Sequence, residues 1–192
     1  MGRAGTRRLS AFMMISLDGY FADARGDMGF AHALAQDGEW NDFVAGNARG
    51  GGVLLFGRKT YELMASWWPT PAAAKANPVV AERMNSGPKV VFSRTLAAAE
   101  WSNTTLVRED APVAVRRMKE EDGPGMVILG SGSIVTQVAA AGLLDTLQVV
   151  VTPVALGAGS SLLAGLGRRL DLALADTRVF RNGAVVLWYA PR

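Results

Sequence analysis

At 192 residues the chain can bury one sizeable core without disulfides and leaves little room for a second domain. Hydrophobic residues make up 49% and charged residues 19%, and the formal net charge is +3; this excludes the disordered class and argues against a dedicated nucleic-acid binder. The absence of cysteine and the single histidine, His32, exclude thiolate metal sites, cysteine nucleophiles and histidine clusters, and the lack of a long apolar run points to a cytoplasmic protein that does not engage a membrane.

Arg3, Arg7 and Arg8 give a basic start, read as a solvated, flexible segment over residues 1–8, with one domain over 9–191. Leu9 to Leu17 is an apolar run of strand length ending at Asp18-Gly19, a turn signal. Residues 22–29, containing DARGD, read as a mobile loop, and Trp40 to Asn47 as a helix with Trp40, Phe43, Val44 and Asn47 along one side. Three glycines at 50–52 precede a second buried strand, Val53 to Phe56. Gly57-Arg58-Lys59-Thr60 then leads into a helix over Tyr61 to Trp68, which Pro69 and Pro71 are expected to stop.

A short helix over Ala81 to Ser86 and strands over Val90 to Ser93 and Asn103 to Val107 follow. Pro112 to Glu121 reads as a helix packed through Val113, Val115, Met118 and the stem of Arg116, with Arg117, Lys119, Glu120 and Glu121 on its wet face. Met126 to Leu129 is a fourth apolar strand, delivered to Gly130-Ser131-Gly132-Ser133 and a helix over Ile134 to Ala141, with Ser131 or Ser133 as its cap and Gly142 as its stop. Leu147 to Val154 is strand-forming, with Pro153 marking its end or an edge, and a glycine-rich loop covers 156–165. Leu170 to Phe180 and Val185 to Tyr189 flank Arg181-Asn182-Gly183 and read as a hairpin. The pattern is α/β: a mixed sheet flanked by helices, closed by an antiparallel hairpin.

The chemical signal is the repeated ending of apolar strands in small, glycine-containing polar turns. Gly130 and Gly132 permit close backbone approach, and the helix after them offers unpaired amides to an anion such as a phosphate; the alternative is a tight, serine-capped connection. Gly57, Arg58, Lys59 and Thr60 repeat that design with two cations and a hydroxyl, and Ser93-Arg94 supplies another pair. Asp18 either orients a polar substrate and assists proton transfer or makes an Asx turn with Gly19. Asp37, Glu39 and Asp42 bracket the following helix as acids or caps, and Trp40, Tyr61, Trp67 and Trp68 are core residues or the walls of a heterocycle pocket. No GxSxG sequence supports serine hydrolysis.

In order, Ser16-Leu17-Asp18-Gly19, Leu55 to Glu62, Val90 to Arg94, Leu129-Gly130-Ser131-Gly132, Gly142 to Asp145 and Thr152 to Gly159 resemble the dihydrofolate reductase superfamily. The likeness is closer to the reductase domain of the bacterial riboflavin-biosynthesis deaminase/reductase and its stand-alone relatives, and it runs from Leu9 to Pro191. The resemblance implies a dihydrofolate reductase-like, mainly parallel sheet, a homodimer, and NADPH-dependent hydride transfer to a small heterocyclic or imine/carbonyl-type substrate. By it, Gly57 to Thr60 with Ser93 and Arg94 meet the adenosine side and its extra phosphate, Gly130 to Ser133 cradle the pyrophosphate, and Asp18 and Gly19 lie nearer nicotinamide and substrate. Gly130-Ser131 stands where the family often has Gly-Gly, and the acid that dihydrofolate reductases carry on the helix after the first strand has no secure counterpart here, Asp42 matching it by position alone, so folate reduction is not assigned. No zinc-deaminase sequence is present, so the likeness is to the reductase half alone. A riboflavin-pathway reductase of 5-amino-6-(5-phosphoribosylamino)uracil and a non-catalytic nucleotide sensor are the alternatives.

Overall fold

In the computed structural model, which describes residues 7–192, the uninterrupted apolar runs become interior strands, since a strand covered on both faces has no wet side to alternate with. In chain order these are β1 (Leu9–Ser16), β2 (Tyr20–Asp23), a 3₁₀ helix (Gly29–Gln36), α1 (Gly38–Arg49), β3 (Val53–Gly57), α2 (Arg58–Trp67), α3 (Pro71–Ala76), α4 (Pro78–Ser86), β4 (Lys89–Phe92), β5 (Thr104–Val107), α5 (Ala111–Glu120), β6 (Met126–Leu129), α6 (Gly132–Ala140), β7 (Thr146–Thr152), β8 (Gly159–Ser161), β9 (Leu172–Val179) and β10 (Val185–Pro191). Eight of the strands form one sheet in the order β5-β4-β3-β6-β1-β7-β10-β9. β5 through β7 are mutually parallel, and β10 and β9 close the sheet as the antiparallel hairpin that Asn182-Gly183 announced.

Successive residues of each interior strand feed different layers. Leu55, Ile128, Leu9 and Met13 join Val135 and Val138 of α6 and Val115 of α5 on one face. Leu54, Phe56 and Val91 pack with Tyr61 of α2 and Val80 and Met84 of α4 on the other. A third cluster on that second side brings Trp40 of α1 against Phe180, Val150 and Val186.

Several elements differ from the sequence reading for identifiable reasons. Residues 22–29 are not simply a loop: β2 pairs antiparallel with β8, more than a hundred residues downstream, and Asp23 then closes a turn by accepting from the amides of Arg25 and Asp27. Pro71 starts a helix instead of stopping one. Pro71 and Pro78 both sit in the first helical turn, where proline's missing N–H is harmless, and Thr70 and Asn77 cap their helices by accepting from Ala73 N and Val80 N. On α5 the buried side is Ala111, Ala114 and Val115; Val113 is 55% exposed and Arg116 is exposed as well. Lys119, expected in water, bonds Asp145 and the Leu143 carbonyl, while Asp145 also accepts from Leu9 N at 2.6 Å, so this pair pins the start of β1. Arg7 is likewise buried, donating to the Pro124 carbonyl at 2.8 Å, which contradicts its reading as a solvated residue; Arg3 and the rest of 1–6 lie outside the described residues. Pro153 ends β7, which is an interior strand and no edge.

Lys89 is the most unexpected core residue, 1% exposed at the start of β4. Its Nζ donates to the carbonyls of Met84, Asn85 and Gly87, capping the C-terminal end of α4, and lies 4.6 Å from the Trp101 ring centroid. Burial, with Arg83 nearby, lowers its pKa from 10.5 to about 8. The folded value lies below the unfolded one, so the unfolded chain binds more protons between about pH 8 and pH 10.5, and the burial penalty is relieved as pH rises through that window. Denaturant titrations across it should therefore show wild type gaining stability relative to Lys89→Met; a gap that stays flat or shrinks would refute the assignment.

Candidate functional site

Parallel pairing aligns the C-terminal ends of β4, β3, β6, β1 and β7 along one edge of the sheet. In that order the edge carries Ser93-Arg94, Gly57 to Thr60, Gly130 to Ser133, Ser16 to Gly19, and the 153–157 loop. From β4 to β1 the row spans about 14 Å, the length of three interstrand spacings. β3 and β6 are neighbours, yet α2 leaves β3 for one face and α6 leaves β6 for the other. Such a divergence opens a crevice beyond the strand ends, the place where open α/β sheets bind ligands.

Two helix N-termini converge on this crevice, those of α2 at Gly57 and α6 at Ser131. A Cβ built on Gly57 would stand 3.3 Å from both Ser131 Oγ and Ile134 Cγ1. The first amides of each helix have no partner within the helix, and both dipoles present their positive ends here. Ser131 is not a side-chain cap of its own helix. Its backbone is left-handed (φ 62°, ψ 61°), a conformation costing a non-glycine residue about 1 kcal/mol, and its Oγ accepts from Gly57 N at 2.7 Å while donating to Thr60 Oγ1 at 2.9 Å. Gly130, at φ 61°, occupies the left-handed position before it, and Thr60 is buried against that glycine. Ser133 is exposed.

The cations of the edge are stored against carboxylates. Arg58 pairs with Glu62 at 3.1 Å and Arg94 with Asp110 at 2.6 Å, both exposed pairs of small net worth, and exposed Lys59 has no ion-pair partner among the described residues. The Ser93 hydroxyl accepts from the amides of Thr95 and Leu96, shaping the turn that carries Arg94.

At the other end of the row, Asp18 is a staple. Its carboxylate accepts from Ser16 Oγ at 2.6 Å, from Leu156 N at 3.1 Å and from Gly157 N at 2.7 Å. The Ser16 hydroxyl, aided by the Leu156 and Gly157 amides, lowers its pKa from 3.8 to about 2, so it is an anion across the physiological range. Gly19, at φ 88°, turns the chain back into β2. Asp42 stands apart on the exposed side of α1, without hydrogen bond or ion pair among the described residues. Trp40 and Tyr61 are core residues, Trp68 is half-buried with its indole N–H on Met64 Sδ, and Trp67 is largely exposed.

The profile of the RibD C-terminal domain family matches residues 7–186. The chain belongs to the RibD C-terminal domain family. An uncharacterised protein of Bacillus subtilis, YyaP, is 25% identical over 183 residues, covering 95% of this chain and 94% of the relative. Among solved structures, a putative riboflavin biosynthesis protein from Shewanella sp. PV-4 superposes with a TM-score of 0.69 at 20% identity, covering 96% of this chain and 99% of that one. The deaminase/5-amino-6-(5-phosphoribosylamino)uracil reductase of Thermotoga maritima gives 0.67 at 14% identity, covering 97% of this chain and 57% of that one. A pyrimidine reductase-like protein from Corynebacterium diphtheriae gives 0.64 at 13%, covering 97% and 92%. These likenesses, at 13–20% identity, show a shared fold: a mixed, mainly parallel sheet flanked by helices and closed by an antiparallel hairpin.

In this member of the RibD C-terminal domain family, one site residue escaped the sequence reading altogether. Phe21, carried by β2, lies over the first turn of α6 so closely that a Cβ on Gly132 would come within 2.4 Å of its ring. Phe21 is the residue passed over where the β2–β8 pairing shifts register between Tyr20 and Ala22. Leu156 and Gly157 were equally hidden as partners of Asp18, since a backbone amide leaves no trace in composition. Among the described residues no cluster of potential metal ligands occurs, and no helix is long and apolar enough to cross a membrane.

Proposed function

We propose that this protein is an NADPH-dependent reductase of a small heterocyclic or imine/carbonyl-type substrate. The observation that carries the reading is the convergence of the α2 and α6 N-termini on the β3/β6 crevice, with Arg58, Lys59 and Arg94 on its β4 side and Asp18 on its β1 side. Paired helix N-termini suit a pyrophosphate, and adjacent arginine and lysine side chains suit the additional phosphate that distinguishes NADPH from NADH. The charged and amide groups present fit the cofactor: the first-turn amides of α6 would hold the pyrophosphate, with the Phe21 ring over that turn moving aside, and Arg58, Lys59 and Arg94 the extra phosphate. Bound there, NADPH would supply the hydride.

The chain's own contribution at the reacting end is positional. Asp18, ionised and fully engaged, ties the 156–157 loop to the end of β1 and so shapes the substrate side; it is poorly suited to donate a proton near neutral pH. Asp42 stands too isolated to share that work. The riboflavin-pathway alternative, a phosphoribosylated pyrimidine, would call for substrate-phosphate cations converging near Asp18, whose own hydrogen-bond partners are one hydroxyl and two amides. The protein would work in the cytoplasm as a homodimer, without nucleic-acid or membrane partners.

Titration of purified protein with NADPH, followed by tryptophan fluorescence with NADH as control, tests this directly. The expectation is saturable binding with a preference of about tenfold or more for NADPH, shrinking in Arg58→Ala, where a charge-assisted phosphate contact worth about 1.5–3 kcal/mol is lost. Silence toward both dinucleotides would overturn the proposal. Binding without oxidation of NADPH by any of a panel of heterocycles, imines and carbonyl compounds would favour a nucleotide sensor.

A further inference from the structure

The β3–β6 ladder ends at Leu55 opposite Ile128. Beyond it the two chains part, one entering α2 and the other α6, and the Gly57 amide would find no strand partner. Ser131 fills that gap: its hydroxyl accepts from the Gly57 N–H and donates to Thr60 Oγ1, buried in the first turn of α2. Glycine would adopt the left-handed backbone at 131 without strain, so the serine is held there at a cost that its hydroxyl contacts help to offset. Both hydrogen-bonding capacities used are internal, so Ser131 Oγ is committed to the protein and not to a ligand.

We infer that Ser131 is a positioning residue that latches the Gly57–Thr60 and Gly130–Ser133 turns into one cradle, and thereby sets the discrimination between NADPH and NADH; the inference rests on the NADPH reading above. Gly57 directly precedes Arg58, whereas Ser131 directly precedes the first amides of α6. The latch therefore fixes the separation between the position where the extra phosphate is read and the position where the pyrophosphate is held. A ligand with both groups benefits from a fixed separation, and one with the pyrophosphate alone benefits far less.

The test uses Ser131→Gly, Thr60→Val and the double variant, with NADPH and NADH affinities and thermal midpoints measured on each. Ser131→Gly should keep or raise the midpoint, because backbone strain is relieved, yet weaken NADPH about tenfold and NADH only about twofold. Thr60→Val should move the ratio in the same direction, and the double variant should bind NADPH no worse than Ser131→Gly alone. Fully additive losses, or an unchanged NADPH to NADH ratio in Ser131→Gly, would overturn the latch while leaving the reductase proposal standing. Equal weakening of both cofactors with a lowered midpoint would do the same, marking Ser131 as fold support only. A wild-type protein that binds neither dinucleotide would remove the cofactor reading and the latch's role with it, an outcome recognisable before any variant is made.

Discussion

Asp18→Ala is expected to cut turnover about a hundredfold while leaving NADPH affinity within about threefold of wild type. Among the described residues the carboxylate is the only side chain that ties the end of β1 to the Leu156–Gly157 backbone, through three oxygen-to-amide contacts. Alanine frees that loop beside the reacting end, where a displacement of about 1 Å can cost about a hundredfold in rate, but it leaves the β3/β6 crevice alone. Asp18→Asn, which keeps one acceptor oxygen, should fall between. Because the folded pKa is lowered below the unfolded value, the staple's stabilisation is present above about pH 3.8 and lost as pH falls through about 2. The wild-type pH–rate profile should accordingly carry no limb from Asp18 between pH 5 and 9. Steady-state oxidation of NADPH with the best substrate of the panel reads all of this. Undiminished turnover in Asp18→Ala, or a parallel collapse of cofactor binding, would show that Asp18 does not serve the reacting end in this way.

The largest stability loss is expected for Trp40→Ala, about 3–5 kcal/mol by denaturant unfolding. Trp40 is 4% exposed, its ring centroid lies 5.5 Å from those of both Phe43 and Phe180, and the Phe180 contact is edge-on. Asp37, the N-cap of α1, accepts from its amide at 2.8 Å, so the capped first turn also carries the side chain that anchors the helix to the hairpin. Truncation leaves a cavity at the junction of α1, β7 and β10, which can close only if the helix moves. Trp67→Ala, on the exposed side of α2, serves as the control and should stay within about 0.5 kcal/mol of wild type. A loss below about 1 kcal/mol for Trp40→Ala would mean that α1 is not held as described.

What was legible in the sequence was what local physics decides. Apolar runs such as Met126 to Leu129 could only be covered strands, Asn182-Gly183 could only turn a hairpin, and glycines after strands marked where backbone comes close to something else. Strand order was not legible from local pattern, because the placement of β6 between β3 and β1 depends on packing between distant segments; that Arg58, Ser131 and Asp18 share one edge was implied by the family resemblance and not by periodicity. The exchange of roles on α5, Val113 outward and Lys119 inward, has the same origin: hydropathy ranks residues, but Asp145 supplies Lys119 with a partner that only the fold brings near. Proline was misread at Pro71 because it both stops a helix and starts one, and the deciding feature is the Thr70 cap in front of it.

The storage of Arg58 on Glu62 and Arg94 on Asp110 also bears on which anions the edge can hold. A free inorganic phosphate must displace a carboxylate for each guanidinium it takes, exchanging one anion for another at little gain. On the proposed reading, a dinucleotide would bring several charges on one frame, so the helix amides could engage the pyrophosphate while the carboxylates were still being displaced, and the second encounter would become intramolecular. On the proposed dinucleotide reading, ion pairs this exposed would tilt the edge only modestly away from single phosphates and towards a ligand that occupies the whole row at once.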